Sequence, residues 1–161
     1  IWSVGLWGEA AYFLTEDYEG TLTNIKNPYF EFVIGADYEF KYKFKLNVQY
    51  YQEIITMIGD DAERDKEEAI PTKLGIGLPL QQALTLRFEK KFGREDQYKA
   101  ELFGIYDLKY KGIYLVPKFS YSPEDAFNIE AGYVIFDGVS PSFLARFQYN
   151  DEIYLKCTYS F

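Results

Sequence analysis

The segment Glu152-Ile153-Tyr154-Leu155-Lys156-Cys157-Thr158-Tyr159-Ser160-Phe161 alternates between two kinds of side chain. Every second residue, from Ile153 to Phe161, is apolar or aromatic, and the residues between them are mostly polar. Successive side chains of a β-strand point to opposite faces of a sheet, so this period of two predicts a strand with one apolar and one polar face. The alternation runs up to an aromatic last residue, whereas the chain ends of soluble proteins usually fray. We therefore expect a fully paired strand, as the last strand of a closed barrel is.

This ending resembles the carboxy-terminal signal of bacterial outer-membrane β-barrels, in which a terminal Phe follows apolar or aromatic residues at every second position. In this sequence those positions are held by Ile153, Leu155, Cys157, Tyr159 and Phe161. The resemblance implies that Tyr159 and Phe161 form part of a membrane-insertion signal recognised by the barrel-assembly machinery. The runs 125–138 and 150–161 are also similar to the end of larger porin-like barrels. That similarity implies either a small relative or a trimmed portion of such a barrel.

The composition is compatible with a single domain that crosses a membrane by strands rather than helices. Of the 161 residues, 48% are hydrophobic and 20% are aromatic, with 16 Tyr and 14 Phe. The mean hydropathy is nevertheless −0.27, so the apolar residues are dispersed. No stretch approaches the ~20 apolar residues of a spanning helix. The chain opens on Ile1-Trp2 without Met or a visible signal peptide, which we interpret as a mature or trimmed form.

Charge and chemistry exclude several classes of function. The net charge is −8 and no basic patch is present, which argues against nucleic acid as a partner. Histidine is absent and cysteine occurs once, so the usual histidine-dependent hydrolase sites and a tight zinc site cannot be built. The acidic run 60–68 does not have the spacing of an EF-hand loop. Asp37 and Glu39 are the nearest candidates for carboxylate catalysis, but we expect them to face Lys45 across a hairpin. We predict no catalytic residues, no metal and no cofactor.

Period-two alternation recurs along nearly the whole chain and predicts an all-β fold, an antiparallel transmembrane β-barrel of about ten strands spanning residues 1–161. The predicted strands are Trp2–Leu14, Pro28–Phe40, Phe44–Ile54, Thr72–Leu80, Ala83–Phe92, Tyr98–Tyr110, Ile113–Tyr121, Phe127–Phe136, Phe143–Tyr149 and Glu152–Phe161. Polar segments 15–27 and 56–71 are predicted as long loops on one side, the cell exterior, with shorter turns on the other. If residues 137–147 are instead an external loop, the count falls to nine.

Taking the apolar face as outward, parity places nine acidic and nine basic residues inward. The acidic residues are Glu9, Glu31, Asp37, Glu39, Glu53, Glu89, Glu101, Asp107 and Glu130, and the basic residues are Lys45, Lys73, Arg87, Lys91, Lys99, Lys109, Lys118, Arg146 and Lys156. This balance predicts a narrow, ion-paired lumen. The residues predicted to line it are Glu39, Lys45, Arg87, Lys91, Glu101, Lys118 and Lys156.

Three functions are compatible with this pattern. The first is a porin-like passive pore of narrow bore in the bacterial outer membrane, with lipid bilayer, lipopolysaccharide and small polar solutes or ions as partners. The second is a sealed barrel that acts as a membrane anchor or a surface-recognition protein through its long loops. The third is a soluble calycin-like barrel that binds an apolar ligand, with its apolar face turned inward. Gly5-Leu6-Trp7 is similar to the Gly-x-Trp of the first lipocalin strand.

Overall fold

The protein is an all-β chain built as one antiparallel sheet of eight strands, in sequence order from β1 to β8. The computed structural model describes residues 4–19, 25–56, 81–124 and 126–161. The strands are β1 (Val4–Phe13), β2 (Tyr29–Phe40), β3 (Phe44–Ile55), β4 (Gln82–Phe92), β5 (Tyr98–Asp107), β6 (Ile113–Glu124), β7 (Phe127–Asp137) and β8 (Glu152–Tyr159). Short 3₁₀ turns lie at Arg94–Asp96 and Leu144–Phe147. In these ranges no helix is long and apolar enough to cross a bilayer.

The strands of the structure confirm eight of the predicted strands, with bounds that differ by a few residues. The predicted strand Phe143–Tyr149 is wrong, because residues Leu144–Phe147 form a 3₁₀ turn with Leu144 buried. The predicted strand Thr72–Leu80 and most of loop 56–71 lie outside the described residues. The count of ten strands is therefore not confirmed.

The sheet has two edges, at β1 and at β8. Within the described ranges β1 is hydrogen-bonded only to β2, and β8 only to β7. The structure thus shows an open sheet with an unpaired row of backbone groups along each edge, and not a cylinder closed by hydrogen bonds.

The two faces of the sheet differ sharply in character, as the alternation predicts. One face, here called the apolar face, is exposed: Leu6 on β1 is 79% accessible and Ile153 on β8 is 82% accessible. The opposite, polar face carries all but three of the charged residues of the described strands, and it includes the buried Glu101, which is only 6% accessible. A water-soluble sheet buries its apolar face and solvates its charges, so this arrangement is inverted relative to a soluble protein.

Aromatic rings gather at both ends of the apolar face and leave an aliphatic zone between them. At the short-turn end, the aromatic belt consists of Phe40, Phe44, Phe88, Phe92, Tyr98, Phe119, Tyr121, Phe127 and Tyr159. Within it the rings of Phe44 and Phe88 are 4.1 Å apart, and those of Tyr98 and Tyr121 are 4.9 Å apart. The long-loop end carries Tyr12, Phe30, Phe32, Tyr50 and Tyr106. Aliphatic and small side chains such as Ile34, Val48 and Leu102 lie between the two sets.

Candidate functional site

The centre of the polar face is a cluster of charges around one carboxylate. Glu101 on β5 is aligned with Lys118 on β6 and with Glu89 on β4. Lys118 Nζ lies 3.0 Å and Arg87 Nη2 3.3 Å from Glu101 Oε1, while Lys99 Nζ lies 3.2 Å from Glu101 Oε2. Both oxygens of this buried carboxylate are therefore occupied by cations. A charge removed from water in this way is tolerable only because it is paired.

Two glycines on the polar face make room for rings that come from the edge strands. Trp7 on β1 is aligned with Gly35, and its Nε1 donates a hydrogen bond of 3.0 Å to Asp37. A Cβ at Gly35 would lie 2.5 Å from the Trp7 ring, so only glycine lets the ring lie flat there.

The other edge repeats this arrangement. Tyr154 on β8 is aligned with Gly132, where a Cβ would also lie 2.5 Å from the ring. The Tyr154 hydroxyl donates a 3.0 Å hydrogen bond to Glu130. Both rings thus lean from an edge strand over the neighbouring strand, which shelters the polar face at its two margins.

A cleft of ≈650 Å³ opens on the polar face across β1 to β5. Its lining includes Gly5, Asp37, Glu39, Lys45, Asn47, Gln49, Arg87, Glu89 and Phe103. A strand at one edge and the fifth strand can border one cleft only if the sheet curves around its polar face. The polar face is therefore the concave one, and the cleft is a polar volume bounded by side chains of both charge signs.

The predicted lining residues lie in four places. Glu39, Lys45 and Arg87 line the large cleft. Lys91 lines a smaller cleft of ≈270 Å³ together with Lys99 and Ser120. Glu101 and Lys118 belong to the central cluster. Lys156 lies on β8, aligned with Glu130 and exposed.

The charges of the polar face are unevenly distributed, because β1 and β2 carry acids alone whereas β4 and β5 carry both signs. β1 and β2 contain no Lys or Arg, and their polar-face charges are Glu9, Glu31, Asp37 and Glu39. The polar-face cations of β4 to β6 are Arg87, Lys91, Lys99 and Lys118. Two of the predicted inward bases are not strand residues: Lys109 follows β5 in a turn, and Arg146 lies in the second 3₁₀ turn. Lys73 lies outside the described residues.

The carboxylates considered for catalysis have structural partners. Asp37 accepts hydrogen bonds from Trp7 Nε1 at 3.0 Å and from Asn47 Nδ2 at 2.6 Å. Glu39 is aligned with Lys45 and lies 3.8 Å from its Nζ, as predicted for that residue. Among the described residues, no group of three or more Cys, Asp and Glu side chains is arranged to hold a metal ion.

The segment 138–151, which connects β7 to β8, folds back onto the long-loop end of the polar face. The Ser142 hydroxyl donates a buried 3.0 Å hydrogen bond to Asp107 at the end of β5. Leu144 is buried, and the Phe147 ring lies 5.3 Å from Phe136 of β7. The sequence does not predict this cap, because the pattern of Phe143–Tyr149 favours a strand and nothing in it pairs Ser142 with Asp107.

Comparison with protein-family models, with curated proteins and with solved structures finds no match for this chain.

Proposed function

We propose that this chain is a membrane-spanning β-barrel of a bacterial outer membrane, whose polar face surrounds a narrow passive path for ions and small polar solutes. The observation that carries the proposal is the inversion of the two faces: Leu155 on the apolar face is 72% accessible, while Glu101 on the polar face is 6% accessible. In water this arrangement exposes a wide apolar surface, which monomeric soluble proteins avoid. In a bilayer the same surface is covered by hydrocarbon and the ionic groups are sheltered inside.

The spacing of the aromatic rings supports the same proposal. Phe30 and Phe40 lie at opposite ends of β2 on the apolar face. In a barrel the strands are inclined to the membrane normal. Ten residues of such a strand cover roughly 27 Å along that normal. Outer-membrane barrels have an apolar band about 25 Å tall between two aromatic girdles. The two sets of rings in this chain therefore suit the two interfaces of one bilayer.

The concave polar face supports a passive path rather than a chemical site. Its large cleft of ≈650 Å³ is bordered by Lys45, Arg87, Glu39 and the amide side chain of Asn47. Barrels of about eight strands have an interior that side chains nearly fill, so the path is narrow and suits ions or small polar solutes. Charged side chains along such a path set its ion preference.

Single-channel recording in planar bilayers tests the pore. We expect steady current steps that scale with salt, and a shifted preference between cations and anions in Arg87→Glu. Arg94→Glu is the matched control, because Arg94 lies in an exposed turn away from the cleft. A folded barrel resists detergent unfolding until it is boiled. If such folded protein carries no current, the pore is rejected and the proposed barrel fold is retained.

A sealed barrel that anchors or recognises at the cell surface is the second candidate. It is favoured by the cap formed by residues 138–151, because Leu144 and Phe147 cover one end of the polar face. The soluble calycin-like barrel is the weakest candidate, because it requires the exposed apolar face to be the dry interior. A protein that stays monomeric in buffer without detergent would support it and reject both membrane proposals.

A further inference from the structure

Lys90 is an exception on the apolar face. Apart from Glu124 and Asp137, which end their strands, it is the only charged residue among the described strand positions of that face. Its neighbour in sequence, Lys91, lies on the polar face and lines the smaller cleft. An ionised side chain directed at hydrocarbon is costly, so its presence calls for a partner.

The surroundings of Lys90 place it at one interface of the bilayer rather than in its middle. It is aligned with Phe44 on β3 and with Ala100 on β5, and Phe88 and Phe92 flank it on its own strand. All three rings belong to the short-turn aromatic belt. Lys90 is two residues from the end of β4, so its long stem can lie along the rings while its ammonium group reaches the headgroup region.

Among the residues that the structure describes, no ion pair involves the Lys90 ammonium, and its side chain is exposed. Ala100 beside it is small, which leaves space next to the stem. An ammonium group that is held at headgroup depth meets phosphate, which is the anion that every phospholipid carries there.

We propose that Lys90 and the surrounding rings of the short-turn belt bind the phosphate of a phospholipid and so fix the depth at which the sheet sits in the membrane. The ammonium pairs with the phosphate, and the acyl chains lie against Phe44, Phe88 and Ala100. This inference rests on the proposed membrane location but not on the pore. It assigns the short-turn end to the leaflet that contains phospholipid.

The test is native mass spectrometry of the full chain in a detergent with a sugar headgroup, titrated with phosphatidylglycerol. We expect Lys90→Ala to bind the lipid about fivefold more weakly, the equivalent of the ~1 kcal/mol that one basic residue contributes near an anionic surface. Lys90→Arg should retain the affinity, because it retains the charge. Lys91→Ala is the matched control for lipid affinity, since it removes the same charge from the opposite face of the same strand.

The outcomes separate this inference from the membrane proposal. Equal lipid affinity of Lys90→Ala and Lys91→Ala would overturn the Lys90 site while leaving the barrel in place. Equal binding of a phosphate-free galactolipid would also overturn it. Displacement of the lipid by millimolar inorganic phosphate would assign the site to a free anion and overturn the lipid assignment. If the unaltered protein retains no lipid and needs no detergent, both the site and the membrane location fail.

Discussion

Glu101 is the residue on which the polar face depends most. It is buried, and Lys99, Lys118 and Arg87 share its two oxygens. Glu101→Gln would remove the shared counter-ion of three cations, of which Arg87 retains Glu89 at 3.9 Å. We expect the free energy of unfolding to fall by about 2–3 kcal/mol, because the loss of the central carboxylate leaves like charges close together in a partly buried cluster. Urea titration of the detergent-solubilised protein measures it.

The control for this substitution is Glu39→Gln. The Glu39 side chain is 60% accessible and lies 3.8 Å from Lys45, so its loss should change stability by less than about 0.5 kcal/mol. A similar effect of the two substitutions would mean that the Glu101 cluster is no more than a solvated ion pair.

Gly35 offers a second test at this scale. Gly35→Ala would place a methyl group 2.5 Å from the Trp7 ring and displace it from Asp37. We expect a loss of about 1–3 kcal/mol, as for other overpacked sites, and a changed Trp7 emission when Trp2 is replaced by Phe. Gly5→Ala is the control, since its added Cβ would meet Asp37 at an ordinary 3.6 Å. An unchanged emission spectrum in Gly35→Ala would show that the ring does not lie over this glycine.

The sequence could place these residues on a face but could not assemble them. Parity alone puts Glu101, Lys118 and Arg87 on one side of the sheet, because the period of a strand is two. Which of them meet depends on the register of each ladder, and registers are set by turn geometry and packing that the alternation does not encode. The face on which each of these three residues lies could therefore be predicted from the sequence, whereas the convergence of three cations on one carboxylate could not.

At the scale of elements, the cap formed by residues 138–151 depends on one buried hydrogen bond. Ser142 donates to Asp107, whose other oxygen accepts the backbone N–H groups of Lys109 and Tyr110. Ser142→Ala leaves a buried carboxylate oxygen without its donor. We expect a loss of about 1–3 kcal/mol and faster chymotrypsin cleavage within 138–151, followed by mass spectrometry of the fragments.

Asn150→Ala is the control for the cap, because its side chain is exposed on the same segment. Cleavage of Ser142→Ala at the rate of the control would show that the Phe147 and Leu144 contacts hold the cap without the hydrogen bond.

Most strands could be predicted from the sequence because their alternation is long and regular. The predictions are wrong where side-chain contacts replace the backbone hydrogen bonds between strands. Residues 98–110 alternate throughout, yet β5 ends at Asp107, since that carboxylate captures the next backbone N–H groups and turns the chain. In the same way 143–149 is apolar enough for a strand, but Leu144 is buried in a 3₁₀ turn. Local polar capping is decided by tertiary contacts that no periodicity reveals.

At the scale of the whole molecule, the two edges of the sheet are the feature that a membrane could not tolerate. In hydrocarbon each unpaired backbone group costs several kcal/mol, so open sheets do not occur there. Following the pairing from each strand to the next gives one row of adjacent residues across the sheet. The row begins at Val4, ends at Ile153 on β8, and passes through Tyr38, Leu46, Phe88, Leu102 and Pro117. For β1 and β8 to lie side by side over their full lengths, Val4 must instead meet Phe161, eight residues further along.

A displacement of eight residues around eight strands corresponds to strands inclined by about 35°, within the range of closed barrels. In this register Glu9 lies opposite Lys156 on the polar face, and Gly8 lies opposite Cys157 on the apolar face. A displacement of six or ten residues keeps the faces matched but separates Glu9 from Lys156. Charge complementarity between the edges therefore favours the displacement of eight.

The single native cysteine makes this closure directly testable. We expect Gly8→Cys to form an intramolecular disulfide with Cys157 under mild oxidation in lipid, because opposed residues of an antiparallel pair bring their Cα atoms within disulfide reach. Leu6→Cys and Ala10→Cys are the register controls, since they would oppose Cys157 at displacements of six and ten. The crosslinked chain runs faster on a denaturing gel than the reduced one. A disulfide-linked dimer would show that the edges of two copies pair with each other, and failure of all three variants to crosslink would mean that further strands separate β8 from β1.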